Sequence, residues 1–348
     1  MIHMNTSTAS LQSTAHELAQ QCPALDELPV GWLTNPRSYQ NRKRGIQAML
    51  RREFAELPLR RHEVRDRQSM RAALQQLKHE GVGLVIADGG DGTVQGVITE
   101  VWHAFADTGM PALAVIPGGR TNVISRDLNG AGDPRQMLRT IIQRYCEQRA
   151  QHIQQRRLIR INLPGVPEQL AFLVSGGGLA AGIESCWDLQ KKMQYLGPLR
   201  SFATPLWVGK RLLTTLPGRP LLDRRRVSLR IDGEAIAGEH HQAVMVTMNK
   251  SMPLGIRPFW GDSRGADDRI LISVVAGQAR GLWWRIVPII MGWNRWLPES
   301  GGYISRASRR IEMQIEDSIH IDGERWTLDK PTTLTLQVSE PIDFITAA

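Results

Sequence analysis

The run Gly89-Gly90-Asp91-Gly92-Thr93 places three glycines, a carboxylate and a hydroxyl in consecutive positions. Glycine lets backbone amides come close to an anion, because no Cβ stands in the way. The apolar stretch 82–87 before it reads as a buried strand, and 94–105 after it reads as a helix. A loop at such a junction sits beside the free N–H groups and positive dipole end of the helix, a natural seat for phosphate. Asp91 would act there through hydrogen bonds or a magnesium ion, since a bare carboxylate repels phosphate.

A second loop, Pro117-Gly118-Gly119-Arg120-Thr121-Asn122, follows the apolar run 112–116 and opens another helical segment. Two successive strands of a parallel sheet ending in glycine loops put both loops on one sheet edge. Together they span enough width for the polyphosphate of a nucleotide, and Arg120 can offer a forked donor to a phosphate oxygen. Gly89, Gly90, Asp91, Gly92, Thr93, Gly119, Arg120 and Asn122 are therefore the candidate nucleotide contacts. The chain has no GxxxxGK[ST] run and no HRD/DFG pair, which sets aside P-loop ATPases and protein kinases. It lacks GxGxxG and GxSxG as well, arguing against a Rossmann dehydrogenase and an α/β-hydrolase.

The elements that must hold these loops read as a doubly wound α/β domain. Unbroken apolar strands at 30–34, 82–87 and 112–116 alternate with helical stretches at 44–54, 70–79 and 94–105. After about residue 158 the pattern changes to strand-like runs at 158–163, 170–175, 226–231, 243–248, 270–275, 311–315 and 333–338. Their alternation suits an antiparallel β-sandwich, interrupted by helical stretches at 179–193 and 201–213. The expected organisation is a polar tail over 1–29, an α/β nucleotide domain over 30–158 and a β-rich domain over 159–348.

The 348 residues carry 43 Lys and Arg against 34 Asp and Glu, a formal charge of +9 that favours anionic partners. No helix-turn-helix or zinc-finger pattern accompanies the basic residues, so nucleic acid is not the expected partner. No stretch reaches the ~18 uninterrupted apolar residues of a membrane-spanning helix. The segment 282–297 comes nearest; it holds four of the ten tryptophans together with Arg285 and Arg295, a composition suited to a water–lipid boundary. The bland alternative is a core helix. Cys22, Cys146 and Cys186 fit neither a zinc knuckle nor a redox pair, and an odd count without an export signal points to the cytoplasm.

In these motifs the chain resembles the diacylglycerol/sphingosine lipid kinases, especially the soluble bacterial lipid kinases. The GGDGT loop matches Gly89 to Thr93, and a P-x-G-T-x-N-x-x-A-R-x-L loop matches Pro117, Gly119, Asn122, Arg126 and Leu128. An NP turn after the first strand matches Asn35-Pro36, and a late DGE matches Asp322-Gly323-Glu324. GGDG alone is shared with NAD kinases and phosphofructokinases; the order of motifs favours lipid kinases.

The resemblance implies an α/β domain of the NAD kinase/lipid kinase type with a parallel sheet, followed by a β-sandwich domain. It implies ATP and Mg2+ on the GGDGT loop, a lipid hydroxyl as acceptor, and a peripheral seat on an anionic membrane at its cytoplasmic face. Glu324 becomes the proposed base with Asp322 and Asp91 as catalytic partners, and Asp268 corresponds to the aspartate of a structural metal site. A second Asp-Gly-Glu, Asp232-Gly233-Glu234, is favoured less only by its order. Tyr39, Arg120, Val123 and Arg269 depart from the family pattern. They keep open a kinase of a soluble substrate, NAD kinase-like, and a non-catalytic nucleotide- or lipid-binding pseudokinase. Oligomeric state leaves no trace in the sequence.

Overall fold

A computed structural model describes residues 29–44, 46–129, 132–148, 151–192, 222–249, 252, 256–261 and 268–348. Residues 1–28 of the expected tail and the helical stretch at 201–213 lie outside the described residues. The strands of the first unit, in chain order, begin with β1 (Val30–Thr34), β2 (Arg60–Glu63), β3 (Leu84–Gly89), β4 (Ala112–Pro117) and β5 (Ile153–Arg156). The second unit carries β6 (Ile159–Leu163), β7 (Val166–Ala171), β8 (Leu173–Gly176), β9 (Arg225–Ile231), β10 (Glu234–Ala235), β11 (His240–Thr247) and β12 (Ile270–Ala276). It continues through β13 (Tyr303–Ser308), β14 (Arg310–Ile315), β15 (Ser318–Ile321), β16 (Glu324–Thr327) and β17 (Thr332–Val338), and the chain ends with β18 (Ile342–Ile345). The helices are α1 (Tyr39–Arg44), α2 (Ile46–Glu53), α3 (Arg67–His79), α4 (Asp91–Ala104), α5 (Val123–Asn129), α6 (Pro134–Gln148), α7 (Gly178–Lys192) and α8 (Leu282–Met291).

The first unit is a sheet of order β2-β1-β3-β4-β18-β5, parallel throughout except that β5 runs against β18. Every residue of β1, β3 and β4 is buried, as expected of strands covered on both faces. Leu50 and Phe54 pack one face together with Leu138, Ile141, Ile142 and Tyr145 of α6. Met70, Leu74 and Leu77 form the buried stripe of α3, whose start is closed by an Asp66–Ser69 capping box. The last strand departs from the linear division of the sequence. Residues 340–348 return to the first unit, and the second unit spans 157–339. Cys146 lies on α6 and is disulfide-bonded.

The second unit is a curled antiparallel sheet. Its path β16-β15-β8-β11-β9-β14-β17-β6-β7 turns where β11 meets β9 through the pairs His240↔Arg226 and His241↔Arg225. Residues on both sides of that turn, among them Val174, Val246, Ile272, Leu229, Met313 and Leu336, share one buried core. The run 170–175 reads as one strand in the sequence but forms two. Phe172 breaks it, because its amide and that of Leu173 turn to the carboxylate of Asp322. No helix of the described residues is long and apolar enough to cross a membrane.

Candidate active site

Three loops meet at the carboxyl edge of β1, β3 and β4. The Asn35-Pro36 turn, the GGDGT loop and the loop 117–122 are knitted mainly by backbone groups. Asn35 N donates to Asp88 O at 2.9 Å, Gln40 N to Gly118 O at 2.8 Å, and Gly118 N to Gly89 O at 2.8 Å. Side chains complete the weave. Asn35 Nδ2 donates to Thr93 Oγ1 at 2.8 Å, and Asn41 Nδ2 reaches both Asn35 O and the buried Asp88 carboxylate. The structure thus brings together, at the sheet edge, the nucleotide contacts expected from the sequence.

The glycines have a local cause that the sequence could not show. A Cβ on Gly119 would stand 2.6 Å from Gly90 Cα, and one on Gly118 would stand 2.9 Å from Gly89 Cα. The two loops touch backbone to backbone, closer than any side chain allows. Gly90 is the N-cap of α4 and supplies no side-chain cap, so the first amides of the helix keep their donors for a ligand. Asn122 closes the second loop from the left-handed region, at φ 49°, while its Oδ1 accepts from Gly119 N at 2.7 Å.

Asp91 faces the second loop. Its Oδ2 accepts from Thr121 Oγ1 at 2.7 Å and its Oδ1 from Ile124 N at 3.0 Å. The carboxylate therefore fastens one glycine loop to the other and satisfies an orphan amide at the start of α5. Two departures from the family pattern lie in contact: the Arg120 guanidinium stacks over the Tyr39 ring, 4.7 Å from its centroid. That pairing holds an exposed positive charge at the rim of the cradle.

In the second unit both Asp-Gly-Glu tripeptides are the same device. Asp322 and Gly323 have φ of 46° and 84°, and Asp232 and Gly233 have φ of 47° and 86°. Each pair forms the two-residue loop of a hairpin, Ile321 facing Glu324 and Ile231 facing Glu234. In each, the aspartate carboxylate takes backbone amides of a neighbouring segment: Phe172 and Leu173 for Asp322, Arg309 and Arg310 for Asp232. Asp322 is buried and used in this way. The glutamates differ. Glu234 is paired with Arg306 at 2.6 Å, whereas the carboxylate of exposed Glu324 has no hydrogen bond or ion pair among the described residues.

Asp268 lies just before β12, in an exposed ion pair. Its Oδ1 accepts from Arg157 Nε at 2.8 Å, and no group of three or more potential ligands gathers among the described residues.

A cluster that the sequence left unmarked sits on the β15–β16 hairpin. Glu184 of α7 accepts from Ser318 Oγ at 3.1 Å and Arg325 Nε at 3.0 Å, and lies 3.2 Å from His320 Nε2. It lines a cavity of about 250 Å³ shared with Arg225, Arg226, Glu316 and Asp317. With 136 positions separating Glu184 from His320, no local spacing could reveal it.

The first unit is thus a parallel α/β domain with two glycine loops side by side at one sheet edge. Residues 29–152, which hold all three loops, match the family model of the diacylglycerol kinase catalytic domain. A crystal structure described as that of a diacylglycerol kinase from Bacillus anthracis superposes with a TM-score of 0.58 at 18% identity, covering 91% of this chain and 96% of that one. Another structure from the same organism gives 0.59 at 16% identity over the same shares. Yeast NADH kinase complexed with NADH gives 0.52 at 11% identity, over 92% of this chain and 84% of that one. A search of curated proteins returned no match.

Proposed function

We propose that the chain transfers the γ-phosphoryl group of ATP to the hydroxyl of a diacylglycerol-like lipid. The observation that carries this reading is the match to a diacylglycerol kinase catalytic domain over the very segment that builds the loop cradle. ATP enters with Mg2+ as its substrate complex. The amides at the start of α4 and the Arg120 guanidinium receive its phosphates, and Asp91 keeps the two loops at the spacing those phosphates need. The lipid oxygen bonds to the γ-phosphorus, the bond from that phosphorus to the β–γ bridging oxygen breaks, and ADP leaves. The hydroxyl proton goes to Glu324, whose carboxylate has no ion pair among the described residues while that of Glu234 is paired with Arg306. Phosphoryl transfer depends mostly on positioning and charge, so a preformed cradle is the main requirement. The reaction would take place at the cytoplasmic face of a membrane.

Labelled ATP offered with a total lipid extract tests this reading. A phosphorylated lipid is the expected product; label appearing only in NADP when NAD is supplied would replace the lipid acceptor by a soluble one. The departures at Arg120, Val123 and Arg269 support a second reading, a nucleotide- or lipid-binding protein without turnover. ATP binding with no labelled product from any acceptor would select it.

A further inference from the structure

All seven large apolar side chains that stand exposed among the described residues fall between Trp283 and Trp296. Trp283, Trp284, Val287, Ile290 and Met291 line the outer face of α8, while Leu282 and Pro288 face inward. Trp293 and Trp296 extend the patch beyond the helix, with exposures of 48% and 61%. The helix thus turns its richer apolar face to solvent, the reverse of a core-facing amphipathic helix. Concentrations of exposed apolar surface on this scale mark interaction sites.

The patch rests on a built platform. Leu282 joins Trp260, Val275, Leu297 and Tyr303 in a small core of its own. Gly292 ends the helix at φ 67°, where a Cβ would meet Arg257 O at 2.7 Å, so the turn there needs glycine. Arg285 bonds Trp296 O at 2.8 Å and Arg280 O, and its guanidinium stacks on the Tyr303 ring 5.0 Å away. Trp283 and Trp284 stack with centroids 3.7 Å apart. These ties hold the tryptophans outward in the absence of any partner.

We propose that this tryptophan platform is the protein's seat on an anionic lipid bilayer. Indole rings are apolar along the body and polar at the N–H, which suits the headgroup boundary. Exposed Arg257, Arg280 and Arg295 flank the patch, and residues 270–298 include no Asp or Glu, so its charge complements anionic headgroups. A second copy of the chain is the poorer occupant, because a two-fold contact would set this arginine rim against itself. The inference is independent of which acceptor is phosphorylated.

Sedimentation with phosphatidylcholine vesicles, with and without phosphatidylglycerol, tests it. Binding is expected to both, more tightly with phosphatidylglycerol, and brominated acyl chains should quench the tryptophan fluorescence of the unaltered protein. Trp283→Ala combined with Trp284→Ala should weaken binding by about tenfold or more on both vesicles. Arg280→Gln combined with Arg295→Gln should remove only the phosphatidylglycerol preference. An absence of quenching in the unaltered protein overturns the proposal whether or not the variants fold. So does unchanged binding of a folded tryptophan variant, or a dimer in solution that the tryptophan changes dissociate. Failure here leaves the kinase reading standing, since transfer to a short-chain lipid in detergent micelles is measured without vesicles.

Discussion

Asp91 and Thr121, 30 positions apart, meet through a 2.7 Å hydrogen bond from the threonine hydroxyl to the carboxylate. With the Ile124 amide on the other oxygen, the most conspicuous acid of the glycine loop is a fastener between two loops. Asp91→Ala should therefore disorder the second loop as well as the first. Losing hydrogen bonds to a charged group costs about 1.5–3 kcal/mol each, so ATP affinity should fall roughly ten- to a hundredfold. Thr121→Val should reproduce part of that loss. Calorimetric titration with ATP checks both, and a Thr121→Val protein with unaltered affinity would show that the tie does not shape the cradle.

Gly119→Ala introduces a Cβ only 2.6 Å from Gly90 Cα. Backbone has to yield, at a cost of about 1–3 kcal/mol. The two loops should part and ATP binding should fall with stability. Gly176→Ala, whose Cβ would meet only side-chain atoms at 3.6 and 3.8 Å, is the matched control and should be tolerated. Thermal melts with and without ATP separate the two.

Glu324→Gln should lower the chemical step by about 10²–10⁴-fold with ATP affinity nearly unchanged, as expected for loss of a general base. Glu234→Gln removes only an exposed ion pair to Arg306, worth about 0–1 kcal/mol, and should leave turnover near normal. Asp322→Ala should act through the fold instead. It orphans the amides of Phe172 and Leu173 at about 1–3 kcal/mol apiece, which a urea melt reads directly. Single-turnover rates of the two glutamine variants decide between the glutamates.

His241 is buried in β11, and that burial, aided by His240, lowers its pKa from 6.5 to about 4. The unfolded chain thus binds more protons than the folded one between these values. Stability from this group is complete above pH 6.5 and declines as the pH falls toward 4. The decline amounts to about 3 kcal/mol at most. His241→Leu should flatten that part of the pH dependence, measured by urea unfolding at a series of pH values. A variant with the same acid slope as the parent would place the titration elsewhere.

The glycine loops were legible because their requirement is local: a strand end, residues without Cβ and a helix start adjoin in the chain. Apolar runs such as 84–87 announced their own burial for the same reason. The two Asp-Gly-Glu tripeptides, by contrast, are indistinguishable as strings. Only the fold pairs Glu234 with Arg306 and leaves the Glu324 carboxylate without a partner among the described residues. The return of β18 to the first sheet was hidden because four residues carry almost no pattern, and their partners, Gln154 to Phe344 for example, lie far away in sequence.

Composition likewise showed that the segment 282–297 mixes tryptophan with arginine, suited equally to a core helix and to a lipid boundary. Which side of α8 faces solvent depends on where Leu282 and Tyr303 find their shared core, and on a glycine turn pressed against Arg257. Residue type sets what a side chain can do, since that chemistry travels with the residue. Burial, partners and direction belong to contacts between distant segments, and these exist only once the chain has closed on itself.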